Sequence, residues 1–176
     1  QNISAQILGG PATLNAASAK DGGVRIAVSG KLNADNLRKS LGWPWLKSLR
    51  GGTDWRGVIT VRKRLTQFTL DSSLAGLASD LPAPFAKSSA AAMPVRFERS
   101  ALNPLQDTVS FSYSKLVSGQ ILRGKSGSQM KAERGVVSFG ATPALPSKNG
   151  VWVTGALSVL DLDQWRDVLS PSGAGP

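Results

Sequence analysis

The residues best suited to chemistry lie between Ser112 and Ser126. Gly119-Gln120-Ile121-Leu122-Arg123-Gly124-Lys125-Ser126 has the spacing G-x-x-x-x-G-K-S, in which the backbone N–H groups of a flexible loop surround the phosphates of a nucleotide. That chemistry needs a buried strand before the loop and an apolar-faced helix after it. Here Ile121 and Leu122 continue a strand-like run, and residues 126–135 are too polar and glycine-rich for the helix, so nucleotide binding is not expected. Ser112-Tyr113-Ser114-Lys115 matches S-x-x-K, a nucleophile and base pairing that requires a helical turn. On a strand, residues i and i+3 face opposite ways. Asn2-Ile3-Ser4 fits the glycosylation acceptor pattern, which alone establishes nothing.

The acids offer no better site. Asp161, Asp163 and Asp167 cluster without any His, Cys or Glu, and capping of a short helix accounts for them more simply than a metal does. Asp71, Asp80 and Lys87 suggest acid–base work, but Asp80 before Leu81-Pro82 is expected to bond nearby backbone. The chain has no histidine and no cysteine, which removes Ser-His-Asp hydrolysis, thiolate chemistry, disulfides and most zinc sites. No catalytic, cofactor-binding or metal-binding residue is therefore assigned, and the chain is read as non-enzymatic.

The elements that would position these residues are mostly strands. Val24, Ile26, Val28 and Leu32 alternate with Arg25, Ala27, Ser29 and Lys31; Trp55, Ile59 and Val61 oppose Arg56, Thr60 and Arg62; Phe68 and Leu70 oppose Thr69 and Asp71; Val95 and Phe97 oppose Arg96 and Glu98. The longest run extends from Asp107 to about Ser118, with Val109, Phe111, Tyr113 and Val117 on one face and Ser110, Ser112, Ser114 and Ser118 on a wet one. Further strands are expected at 12–19, 134–140 and 150–160, with antiparallel neighbours. Asp35-x-Leu37-Arg38-x-x-Leu41 and Asp163-x-Trp165-Arg166-x-x-Leu169 repeat one pattern of short helix, with Asn33 and Asp161 as candidate caps. Leu74, Leu77 and Leu81 fit a further helical turn that Pro82 and Pro84 stop. The expected fold is mainly β: a curved, largely antiparallel sheet, forming an open groove or a curled sheet, with two or three short helices.

With 176 residues and 41% hydrophobic content, the chain is large enough for a real core. No stretch approaches the roughly 20 apolar residues that span a bilayer, and no signal segment opens the chain. It starts at Gln1 and ends in SPSGAGP, which suggests one β-rich segment, 1–176, cut from a longer polypeptide and divisible into sub-units 1–50 and 51–170. The net charge of +10 concentrates between Asn36 and Arg64, where eight basic residues face the single acid Asp54. Such a region meets phosphates of nucleic acid or anionic lipid, or serves as a solvated basic face. Trp43, Trp45 and Trp55 interleave with it, at an interface or, more simply, as core and loop packing.

The run Leu70–Lys87, LDSSLAGLASDLPAPFAK, preceded by GGTDWRGVITVRKR and followed by MPVRFERS, resembles the signature of the YhdP family of AsmA-like proteins. GPATLNAAS, VRIAVSGKL with its D-x-L-R helix, and the terminal VWVTGALSVLDLDQW extend the resemblance from about Gly9 to Leu169. It implies the periplasmic portion of a protein anchored in the inner membrane of a Gram-negative bacterium, involved in phospholipid transport to the outer membrane and in maintaining that membrane's barrier. A cell-envelope structural or assembly scaffold without lipid conduction is the alternative, and a basic nucleic-acid-binding module a more distant one. Implied partners are phospholipid acyl chains, and the two membranes through other parts of the protein; nucleic acid is not expected. Val24, Ile26, Val28, Ile59, Val61, Phe68, Leu70, Phe111 and Tyr113 are the candidate groove lining, and Arg56, Arg62, Lys63 and Arg64 the candidate anionic-headgroup contacts. The same apolar positions would equally serve a closed sandwich core.

Overall fold

A computed structural model describes residues 2–18 and 22–170. The chain forms β1 (Asn2–Ile7), β2 (Gly10–Ser18), β3 (Val24–Asn33), α1 (Ala34–Leu41), a 3-10 helix (Pro44–Ser48), β4 (Leu49–Arg62), β5 (Leu65–Ser72), β6 (Leu77–Ser79), β7 (Val95–Asn103), β8 (Gln106–Tyr113), β9 (Val117–Ser126), β10 (Gln129–Phe139), β11 (Gly150–Gly155) and α2 (Leu162–Leu169). The alternation read in the sequence thus builds one open sheet of 11 strands, in the order β1-β2-β3-β4-β5-β7-β8-β9-β10-β11, with β6 beside the start of β4. Neighbours are antiparallel, except that β11 lies parallel to β10. Residue 19 of the expected strand 12–19 and the terminal segment 171–176 lie outside the described residues.

Both short helices form where their caps predict. The Asn33 side chain accepts from the N–H groups of Asp35 (2.9 Å) and Asn36 (3.2 Å), and Gly42, at φ 66°, ends α1 in the left-handed region. Asp161 accepts from Gln164 N (3.0 Å) at the start of α2. α1, the 3-10 helix and the long segment 73–94 connect strands at one end of the sheet, the end at which α2 follows β11. The opposite end carries tight turns, including Lys63-Arg64, both at positive φ (47° and 66°), between β4 and β5.

Four local expectations are corrected. The leucines of 74–81 do not sit on a helical turn: Gly76 (φ 89°) breaks it, and Leu77–Ser79 becomes β6, paired through Gly51↔Leu77 and Leu49↔Ser79. They nevertheless share one cluster, since Leu77 is buried with Ala34, Leu37, Leu46 and Leu49, and Leu74 and Leu81 pack against them. Asp80 does not bond backbone through its side chain; its carboxylate takes the Arg50 guanidinium, while its N–H donates to Ser48 O (2.9 Å). The run 107–118 is a hairpin rather than one strand, because Ser114 (φ 49°) turns the chain; Tyr113↔Val117 pairing keeps both side chains on the expected face. The strand at 150–160 stops at Gly155 (φ 93°), and residues 140–149 cross over so that it pairs in parallel.

Lys87 holds the 73–94 segment closed. Its Nζ donates to Leu74 O (2.8 Å), Ser88 O (3.1 Å) and Leu77 O, and its backbone exchanges two 2.9 Å bonds with Ser79. Burial pushes its pKa below the ordinary lysine value. Leu77, 4% exposed, anchors the same segment to β4. Leu77→Ala is expected to cost about 2–4 kcal/mol in urea unfolding; a loss below about 0.5 kcal/mol would place the side chain at the surface instead.

Candidate functional site: the apolar face of the sheet

Directly opposed residues in a sheet share a face, so the pairing register shows which side chains meet. One row runs Val28↔Gly57↔Leu70↔Phe97↔Phe111↔Gly119↔Val137↔Val153 across eight strands. The adjacent row, two residues along, runs Ile26↔Ile59↔Phe68↔Arg99↔Val109↔Ile121↔Gly135↔Val151. One residue away, on the other face, the row reads Ser29↔Arg56↔Asp71↔Arg96↔Ser112↔Ser118↔Ser138↔Thr154. From β3 to β8 the sheet therefore has one apolar and one mainly hydrophilic side, whereas on β9 and β10 the second side also carries the buried Leu122 and Val136.

All nine candidate lining residues, Val24, Ile26, Val28, Ile59, Val61, Phe68, Leu70, Phe111 and Tyr113, fall on the apolar face. Phe97, Val109, Ile121 and Val137 belong with them; their strand phase carries the same signal, which for Phe97 and Val109 was already visible. Glycines let the large rings lie flat on the sheet. A Cβ at Gly119 would come within 2.4 Å of the Phe111 ring, and one at Gly30 within 2.9 Å of the Trp55 indole.

Only one end of this face is covered. There Trp55 is buried with Ala12 and Val28. Phe85 of the 73–94 segment stacks on Tyr113 with ring centroids 6.0 Å apart, and Trp165 of α2 meets Phe85 edge-on at 5.5 Å. Away from that end Ile59, Val61, Phe68, Phe97, Val109, Phe111 and Ile121 are half-buried among one another, and Val24 and Val153 are exposed. No second sheet packs over them among the described residues.

The four candidate headgroup contacts do not gather on this face. Arg56 and Arg62 lie on the hydrophilic side, and Lys63 and Arg64 form the β4–β5 turn. Arg56 lines a hollow of about 1250 Å³ with Ser4, Thr13, Lys31, Asp54 and Arg96. Pro11, Ala12, Trp55, Pro94 and Val95 line it as well, so the hollow is of mixed polar and apolar character. Of the tryptophans in the basic region, Trp55 is core (4% exposed) and Trp43 is exposed, stacked on Trp45.

The remaining motifs are structural. Gly119–Ser126 lies wholly within β9, with no loop to cradle phosphate. Ser112 lies in β8 and Lys115 in the turn that follows it, so the two do not share a helix. Asp163 pairs with Arg166 (3.3 Å), and no group of three metal-ligating residues occurs among the described residues.

One polar feature interrupts the apolar face, and the sequence reading passed over it. Arg99, Asp107 and Arg123 occupy apolar-phase positions on β7, β8 and β9. Asp107 is buried and accepts from Arg123 Nε (2.8 Å), Arg123 Nη2 (2.7 Å) and Arg99 Nε (2.6 Å). The Arg123 hydrogen bonds, reinforced by Arg99 and opposed by burial, hold its carboxyl below the usual carboxylate range. The visible signal was three charges breaking the apolar alternation of consecutive strands. A lowered carboxyl pKa contributes stability above the unfolded value that is lost as pH falls through the folded one. Asp107→Asn is therefore expected to lower the urea midpoint at pH 7, with the gap from wild type closing as pH falls below the carboxylate range. A gap independent of pH would contradict the ionised triad.

A model of the YhdP family, described as YhdP protein, matches residues 1–176. No curated protein matches the chain, and no solved structure does. With its whole length matched by that family model, the chain belongs to the YhdP family.

Proposed function

We propose that this segment is a non-enzymatic part of a lipid conduit, in which phospholipid acyl chains lie against the apolar face while the hydrophilic face meets water in the periplasm. The surrounding protein would be anchored in the inner membrane and deliver phospholipid toward the outer membrane. The observation that carries this reading is the apolar face itself: a band of Val, Ile, Leu and Phe across eight strands, broken at Arg99, Asp107 and Arg123, with no second sheet over it among the described residues. Apolar surface left in water costs about 25 cal/mol per Å². A band of this extent needs a cover, and hydrocarbon chains supply one without polar contacts. Membership of the YhdP family supports the same reading.

Photocrosslinking from each of the nine lining positions in the full-length protein, in cells, tests it. Crosslinks to phospholipid are expected; crosslinks to protein alone at all nine would refute the conduit for this segment. Phe111→Asp should obstruct the path, because an unpaired charge in hydrocarbon is costly. It is expected to weaken the outer-membrane barrier while the protein stays folded and abundant. Degradation of that variant would point to a closed core.

A further inference from the structure

We propose that Arg99 and Arg123 form a binding site for the phosphodiester headgroup of a lipid whose acyl chains lie on the flanking apolar rows. The inference rests on the conduit reading above and assigns a polar contact within it. Arg99 stands in the apolar row itself, with Phe68 and Val109 as its direct cross-strand partners. A structural ion pair would need one arginine for the one buried carboxylate. Two are present, so the cluster carries one excess positive charge beside the apolar rows.

The geometry also leaves donors free. Asp107, whose side chain is 1% exposed, engages Nε of Arg99 and Nε and Nη2 of Arg123. A guanidinium has five N–H donors. Both terminal nitrogens of Arg99, and Nη1 of Arg123, have no protein acceptor among the described residues. The Arg99 and Arg123 side chains are 46% and 29% exposed, so those nitrogens are open to a ligand. Arg99 Nε and Arg123 Nη2 donate to the same Asp107 oxygen, Oδ2, at 2.6 and 2.7 Å, which holds the two guanidiniums side by side. A phosphodiester brings one negative charge and two unesterified oxygens, which neutralises the excess and matches the guanidinium fork. Beside it Val109, Phe97 and Ile121 present hydrocarbon, so one ligand with an anionic head and apolar chains satisfies both surfaces.

The test places a photoreactive residue at Val109 of the full-length protein in non-ionic micelles. Phosphatidylglycerol is compared with diacylglycerol of the same chains. Wild type is expected to yield about tenfold more phosphatidylglycerol adduct, the equivalent of one charge-assisted hydrogen bond. Arg99→Gln should bring the ratio toward one while keeping the diacylglycerol adduct; Asp107 then still holds its bonds from Arg123. A ratio unchanged by Arg99→Gln overturns the headgroup site. Equal adducts in wild type also overturn it and leave the conduit standing. The preference for phosphatidylglycerol is expected to persist in millimolar inorganic phosphate; its full suppression there would mean that the arginines take free phosphate in preference to the lipid headgroup and would overturn a lipid site. No adduct with either lipid, at 109 or at 111, defeats the conduit and the site with it. Should Arg99→Gln lose both adducts, Arg99→Lys decides by the same ratio: a point charge without the fork is expected to retain only part of the preference, and full retention overturns the fork-specific contact.

Discussion

Pairing register is the constraint on which the rest of this structure depends. Because side chains alternate with a period of two, a one-residue slip at any strand would move its valines and phenylalanines to the hydrophilic side. From β3 to β9 the antiparallel pairing holds this phase, and the irregularity between Ala101 and Asn103 falls at the turn end of the β7–β8 hairpin, beyond the rows that build the face. Between β9 and β10 the extra residue Glu133 is absorbed so that Gly135 and Val137 return to the apolar side. Ion pairs on the hydrophilic face reinforce the phase locally. Arg96 Nη1 donates to both Asp71 oxygens, at 2.9 and 3.1 Å, across β7 and β5. Such exposed pairs contribute little to stability. Their use is to penalise the slipped register, which would bring the same charges to the apolar side.

The two ends of the sheet differ for reasons written into the connections. Proline-, glycine- and leucine-rich segments accumulate at one end and fold back as a plug, with Leu46 fully buried at its centre. Leu32 packs against both buried clusters and so joins the plug to the strand face. At the other end Pro104-Leu105 joins β7 to β8, and Leu105 is exposed rather than folded back over the face. Hence the face is sealed at one end and open along its length, an arrangement in which the cover must come from outside the described residues.

Much of this was legible in the sequence where a local rule decides the outcome. Asn33 and Asp161 cap their helices because a short side-chain oxygen before an amphipathic turn has few alternatives. The nine lining residues share a face because alternation determines sidedness before pairing is known. What was hidden depends on partners distant in sequence. Leu74, Leu77 and Leu81 have helical spacing, yet an unpaired start of β4 offers backbone hydrogen bonds to Leu77–Ser79, and strand pairing wins. The 107–118 run reads as one strand because Ser114 gives no turn signal comparable to Asn-Gly. Asp80 meets Arg50, 30 residues away, and Asp107 meets arginines on both neighbouring strands. The headgroup residues anticipated from charge density, Arg56, Arg62, Lys63 and Arg64, stand off the apolar face, because density along the chain does not specify the side of a sheet.

Lipid rather than protein is proposed to cover the apolar face. Native mass spectrometry of the full-length protein, released from membranes in mild non-ionic detergent, tests this most directly. The account predicts retained diacyl phospholipid, released when Phe97 and Phe111 are replaced by aspartate. Lipid-free protein from the same preparation, with residues of the apolar face protected by a second protein layer in covalent labelling, would contradict it.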